Sequence, residues 1–317
     1  MARSRLLVAG FSLALLAGNT GCLLRTRPVP MRTSTAKLQT ADKAELVDYI
    51  NRQATSIQTL NATVDIATSV GGEKKGKVTQ YEAVRGYILL RKPDMLRMIG
   101  LFPIVHNKAF DMVSQDGHFQ LSIPAQNKFY VGTNEVVHPA ANPLENLRPQ
   151  VIYNALLLPE INPQSDIAVL EDSIEIVYDR KKRKNLEQPD YVVDILRRDA
   201  NNDWYLARKI IFDRTNLLPH QQLVYDRNGA VASNAIYQVY QEYNGVNFPN
   251  VIEISRPREE YSIRLTVDKL VINQPLRDEQ FVLQQPPGSQ LIDLDQPDQP
   301  VPSGAPPSAK KQANGRP

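Results

Sequence analysis

The sequence predicts a mainly β protein with covering helices (α+β), built on one large curved antiparallel sheet or open half β-barrel. Three observations carry this. Apolar residues alternate at period two in a long series of short segments. Turn-forming residues separate those segments at hairpin spacing. Two stretches alone switch to helical spacing. A sheet of more than about ten strands curls, and helices then cover its inner face.

The first helix is expected over residues 42–57. Asp42 and Glu45 have capping-box spacing, and Leu46, Val47, Ile50, Ala54 and Ile57 follow one helical face. The period changes at Leu60, where Ala62, Val64 and Ile66 alternate with Asn61, Thr63 and Asp65. After the polar turn at Gly71-Gly72, a strand from Val78 to Arg91 leads into the central run, Val84 to Val131. There Leu96 and Met98 alternate with Met95, Arg97 and Ile99, and Phe119, Leu121 and Ile123 follow the turn Gln115-Asp116-Gly117. A short turn is expected at 143–147. The second helix is expected over about 148–158, closed by Pro159. Its face of Val151, Ile152, Ala155, Leu156 and Leu158 fits either core packing or a lid over an apolar cavity. Further strands are expected at 167–178, 190–198, 203–213, 220–226, 231–243, 250–256 and 261–273. Asp226-Arg227-Asn228-Gly229, Asn244-Gly245 and Arg256-Pro257 are among the turns between them.

One segment breaks the pattern. Leu101-Phe102-Pro103-Ile104-Val105 is apolar where a connection should be polar, and Gly100 and Pro103 mark it as a turn. An apolar surface loop points to a contact.

The chain has 317 residues, 42% hydrophobic and 22% charged, the composition of a globular protein. A net charge of +3 is too small to argue for nucleic acid. With Cys22 as the one cysteine, no disulfide forms within the chain. No H-E-x-x-H, G-x-S-x-G or glycine-rich phosphate loop occurs, and His106, His118, His138 and His220 have no metal-ligand spacing. No catalytic residue, metal or cofactor is expected, and no enzyme. The basic run Arg180 to Lys184 reads as a solvated hairpin tip or as a contact for anionic lipid headgroups.

Both ends read as lying outside the fold. Arg3 and Arg5, an apolar run from Leu6 to Ala17, and small residues before Cys22 make a secretory signal over 1–21. The run is too short to span a bilayer. Thr20-Gly21-Cys22 resembles the bacterial lipoprotein lipobox, with Asn19 at the position usually aliphatic. That resemblance implies acylation, palmitate included, of Cys22. Leu23 after the cysteine implies outer-membrane sorting. Residues 22–39 read as a flexible tether, 40–286 as the folded domain, and 287–317 as a disordered Pro-rich tail.

Four pieces together resemble the LolA/LolB superfamily of bacterial lipoprotein carriers and receptors. They are an amphipathic helix before the first strand; Leu96-Arg97-Met98-Ile99 with Pro103-Ile104; Leu147-Arg148-Pro149-Gln150-Val151-Ile152; and Phe248-Pro249 with Val271-Ile272-Asn273-Gln274-Pro275-Leu276. The resemblance implies a cavity that accepts acyl chains of lipoproteins or another lipid, a periplasmic carrier protein as partner, and a place on the periplasmic face of the outer membrane. It implies a membrane-contact loop at Leu101, Phe102 and Ile104, and a cavity or lid formed by Val151, Ile152 and Leu156. A lipid-sensing or partner-binding protein of the same fold is the alternative. If Cys22 carries the anchor, Cys22→Ala yields soluble or unprocessed protein on cell fractionation, whereas the parent chain needs detergent for extraction.

Overall fold

The computed structural model describes residues 31–32, 36–74, 76–134, 136, 146–179 and 183–296. Cys22, the turn residues 143–145, most of the basic run and the end of the tail lie outside these. The chain divides into two compact units: a small one from residues 1–37 with 174–189, and a large one from 38–173 with 190–317.

In the large unit one sheet runs through the part of β10 (Lys184–Arg198) from Asp190 on, β11 (Trp204–Asp213), β12 (Leu218–Tyr225), β13 (Val231–Tyr243), β14 (Val246–Arg256), β15 (Tyr261–Ile272), β2 (Thr59–Gly72), β4 (Val84–Arg91), β5 (Met95–Leu101), β6 (Lys108–Gln115), β7 (His118–Ile123), β8 (Lys128–Thr133) and β16 (Gln290–Asp293). Neighbours are antiparallel except β16, which pairs parallel to β8. The sheet is curved and does not close on itself. Each expected strand forms, with two differences. The strand expected from Val78 is interrupted at 81–83, leaving a short β3 (Lys77–Gln80) paired with β2. The expected fold boundary at Pro286 falls before β16, whose backbone bonds to β8 continue with Leu294 N–H donating to Val131 O at 2.9 Å.

The helices form where the spacing predicts them. Helix α1 (Lys43–Ser56) opens on a full capping box: Glu45 N–H donates to Asp42 Oδ1 and Asp42 N–H to Glu45 Oε2, both at 2.8 Å. Its Leu46 and Ile50 pack with Val193, Ile195, Ile210 and Phe212 of β10 and β11. Tyr49 stands edge-on to Phe212 at 5.6 Å. Helix α2 (Pro149–Leu156) is shorter than expected. It buries Ile152, Ala155 and Leu156 against the main core, made of inward residues from β2, β4–β6 and β13–β15.

The outward face of β4 to β6 carries apolar side chains too, and they are also covered. Met95 and Val113 pack beneath Leu276 and Phe281 of the segment after β15. Arg91 Nη1 donates to Leu276 O at 2.8 Å and Arg97 Nη1 to Gln280 O at 2.9 Å, fixing that segment in place. Arg97 also clamps the buried Asp111 at 2.9 and 3.0 Å, joined by Lys108 Nζ at 2.7 Å. In the small unit, β1 (Met31–Arg32) pairs parallel to Leu186 and Glu187 of β10. Strand β9 (Asp166–Asp179) pairs with β10, and both strands pass from one unit to the other.

Two buried carboxylates set an acid limit. Burial pushes Asp111 up, but Arg97 and Lys108 outweigh it and hold the carboxyl below its ordinary value. Asp166 behaves alike: burial raises it, and Arg197 with the Asn162 amide brings it below that value. A depressed carboxylate contributes stability above its unfolded pKa and loses it as pH falls through the folded one. The urea midpoint is therefore expected to fall as pH drops below 3.8. At neutral pH, Arg97→Ala leaves Asp111 with the half-exposed Lys108 alone, and chemical denaturation is expected to show a loss of about 3 kcal/mol.

Candidate functional site

Between α2 and the sheet lies an apolar cavity of ≈ 220 Å³. Ile66 and Thr68 of β2, Met98 of β5, and Phe110 and Met112 of β6 line it, with Ile152 of α2 above them. Tyr81 and Glu82, in the break between β3 and β4, stand at its rim, and Tyr81 N–H donates to Thr68 O at 2.9 Å.

Two glycines lie beneath Ile66 and Phe110. Gly86 of β4 and Gly100 of β5 are directly opposed. A Cβ on Gly86 would sit 2.3 Å from Ile66 Cδ1, and one on Gly100 would sit 2.4 Å from Phe110 Cε1. Both contacts are shorter than packed carbons tolerate. Ile66 and Phe110 thus fold over bare backbone from the flanking strands, and both face the cavity. The alternation of β4 and β5 contained this signal, since each glycine falls on an inward position.

A hydrogen-bonded chain fixes where α2 ends. Arg208 Nη1 donates to Gln222 Oε1 at 2.9 Å, which orients that amide. Gln222 Nε2 then donates to Asn154 O at 2.8 Å and to Tyr237 Oη at 3.1 Å. Tyr237 Oη donates to Ala155 O at 3.0 Å. Two carbonyls from the last turn of α2, which have no partner within the helix, are thereby satisfied. Burial lowers the Arg208 pKa to about 10, leaving it a cation at neutral pH near the negative end of the helix. Burial pushes the Tyr237 phenol up, so it stays a donor. None of these three residues was singled out from the sequence for this role. Beyond α2, Asn51 of α1 bonds both the N–H (2.8 Å) and the carbonyl (3.3 Å) of Ile161.

Of the lid residues expected from the sequence, Ile152 faces the cavity. Leu156 is buried elsewhere, beside Tyr237 and Phe248, and Val151 is half-buried against the core. Leu147 joins Ile152 at the cavity wall.

The apolar segment after β5 is a closed loop. Phe102 N–H donates to Asn107 O at 2.9 Å and His106 N–H to Phe102 O at 3.1 Å. Its tip projects Ile104, 90% exposed, with Val105 61% and Phe102 38% exposed, while Leu101 is half-buried at the end of β5. The loop joins the two strands that carry Met98, Phe110 and Met112, so tip and cavity share one hairpin. Among the described residues no cluster of His, Cys, Asp and Glu could hold a metal ion. No described helix is long and apolar enough to cross a membrane.

A family model whose description is "Uncharacterized protein" matches residues 165–285. No curated protein matches the chain. Several solved structures are similar to it. A DUF1329 family protein from Desulfovibrio piger is 14% identical, with 75% of this chain and 94% of that one covered and a TM-score of 0.46. A domain described as an outer membrane lipoprotein-sorting protein, from Vibrio parahaemolyticus, is 14% identical over 75% and 94%, with a TM-score of 0.45. The LolA superfamily protein NE2245 from Nitrosomonas europaea is 11% identical over 77% and 99%, with a TM-score of 0.46.

Tyr237→Phe removes the donor to Ala155 O and the acceptor for Gln222 while keeping the ring. The expected cost is about 1–3 kcal/mol, read from the urea midpoint.

Proposed function

We propose that this protein is a lipoprotein of the bacterial cell envelope, anchored through Cys22 on the periplasmic face of the outer membrane, that takes an acyl chain into the cavity. Its task on this reading is transfer of lipoproteins or another lipid to the membrane, with a periplasmic carrier protein as donor. The observation that carries the reading is the cavity itself, walled by Thr68, aliphatic side chains, Phe110 and two methionines, with its one charged neighbour, Glu82, exposed at the rim. A cavity of about 150 Å³ holds one benzene, so this one accepts roughly nine chain carbons. At about 0.8 kcal/mol per methylene their burial contributes roughly 7 kcal/mol before ordering costs. Binding of this kind needs no reaction chemistry, and none is assigned.

On this reading Ile152 and Leu147 close the cavity, Val151 and Leu156 seat the helix that holds them, and Leu101, Phe102 and Ile104 form the membrane-contact loop. An isoleucine 90% exposed at a loop tip is a costly ornament unless apolar surface meets it.

Native mass spectrometry of protein isolated under lipid-preserving conditions is expected to show an adduct with the mass of an acyl lipid. Bare protein under those conditions counts against carriage. Gly100→Val, which drives Phe110 into the cavity, is expected to lower adduct occupancy several-fold. Ile104→Glu, at a site with no packing to lose, is expected to leave the adduct and the melting temperature unchanged and to abolish transfer to vesicles. Undiminished transfer by that variant ends the role given to the loop.

A further inference from the structure

Six of the sixteen exposed large apolar side chains among the described residues lie on β9. In the small unit three of them fall on one face at period two: Ile174, Ile176 and Tyr178, exposed by 60, 51 and 56%. Glu175, Val177 and Asp179 occupy the opposite face, with Val177 39% exposed. The strand is therefore apolar on one side and mainly acidic on the other, and its apolar side is exposed among the described residues. Arg183, exposed, stands just before β10.

The same unit contains the first described residues of the chain. Met31 pairs with Leu186 and Arg32 with Glu187. Cys22 lies nine positions before Met31. Nine residues reach at most about 30 Å when fully extended. An acyl group on Cys22 thus holds this hairpin close to a bilayer surface, and effective concentration raises any weak contact it makes.

We propose that the Ile174–Ile176–Tyr178 stripe is a bilayer-contact surface, with the aliphatic side chains in the headgroup–acyl boundary, the Tyr178 ring at the interface and Arg183 on anionic headgroups. The proposal rests on the reading of Cys22 as the anchor, and it adds a contact distinct from the loop at Ile104. Bilayer rather than protein is the occupant that the short tether, the exposed cation and the amphipathic alternation together fit.

The test uses the acylated protein reconstituted in vesicles of phosphatidylethanolamine and phosphatidylglycerol. Acylation consumes the Cys22 thiol, so Ile176→Cys carries an environment-sensitive fluorophore alone. Its emission is expected to shift to the blue and to fall several-fold when the lipids bear quenching groups. A fluorophore at Glu175→Cys, on the opposite face, is expected to answer to an aqueous quencher instead. Arg183→Glu is expected to weaken the quenching at 176 in these vesicles. Equal aqueous access at 175 and 176 overturns the proposal. So does shielding of 176 that appears without vesicles and grows with protein concentration, because a second copy then covers the stripe. Tyr178→Cys gives a second labelling position on the same face should the first variant fold poorly. The mass of the N-terminal peptide scores the anchor separately: without acyl groups there the anchor reading fails, and a probe at 176 that stays in water when vesicles are added still overturns the stripe on its own.

Discussion

The site depends on where helix α2 stops. An apolar helix of eight residues has little hold of its own in water, and its packing face alone would let it slide along the sheet. The buried chain from Arg208 through Gln222 and Tyr237 removes that freedom, because each donor meets one acceptor and the last two acceptors are carbonyls of α2. Breaking any link strands a buried polar group, which costs more than the bond contributes when made. Apolar packing makes the helix adhere to the sheet, and polar geometry decides its register.

With α2 fixed at one end, the cavity is what the two layers fail to fill. The sheet does not close, so its inward residues need helices over them. Helix α1 covers β10 and β11, and α2 covers the β2 to β6 side. Two opposed glycines lie beneath Ile66 and Phe110, and Ile152 forms the roof. On the other face, the segment carrying Leu276 and Phe281 seals Met95 and Val113. Strands β5 and β6, which line the cavity, are thereby packed on both sides, and the exposed loop joins them.

Much of this was legible in the sequence, and for physical reasons. Alternation separates the two sides of a strand, so Leu96 and Met98 were set apart from Met95, Arg97 and Ile99, although both sides carry apolar residues and spacing alone did not say which faces α2. Capping chemistry is local, so Asp42 and Glu45 marked the start of α1. Gly100 and Pro103 inside an apolar run marked the loop. The parts that were not legible depend on long-range pairing. Parallel β16 returns to β8 from far along the chain, and its residues Gln290 to Asp293 have no alternation to announce it. The Arg208 chain joins residues from four elements whose separate contexts are unremarkable. The lid face was read as one surface, whereas the helix turns Leu156 away from the cavity that Ile152 lines. Spacing gives the stripe, and only the neighbours divide it.

The facing glycines carry one last consequence. A glycine codon is one base change from alanine or valine, and an added carbon at position 100 meets the Phe110 ring at once, whereas one at position 86 also meets the backbone oxygen of Ile99 at 2.9 Å. Cavity depth is therefore adjustable in single mutational steps at position 100, at a place that does not touch the hydrogen bonds that seat α2. A lineage can change the size of this cavity while the rest of the molecule stays as it is.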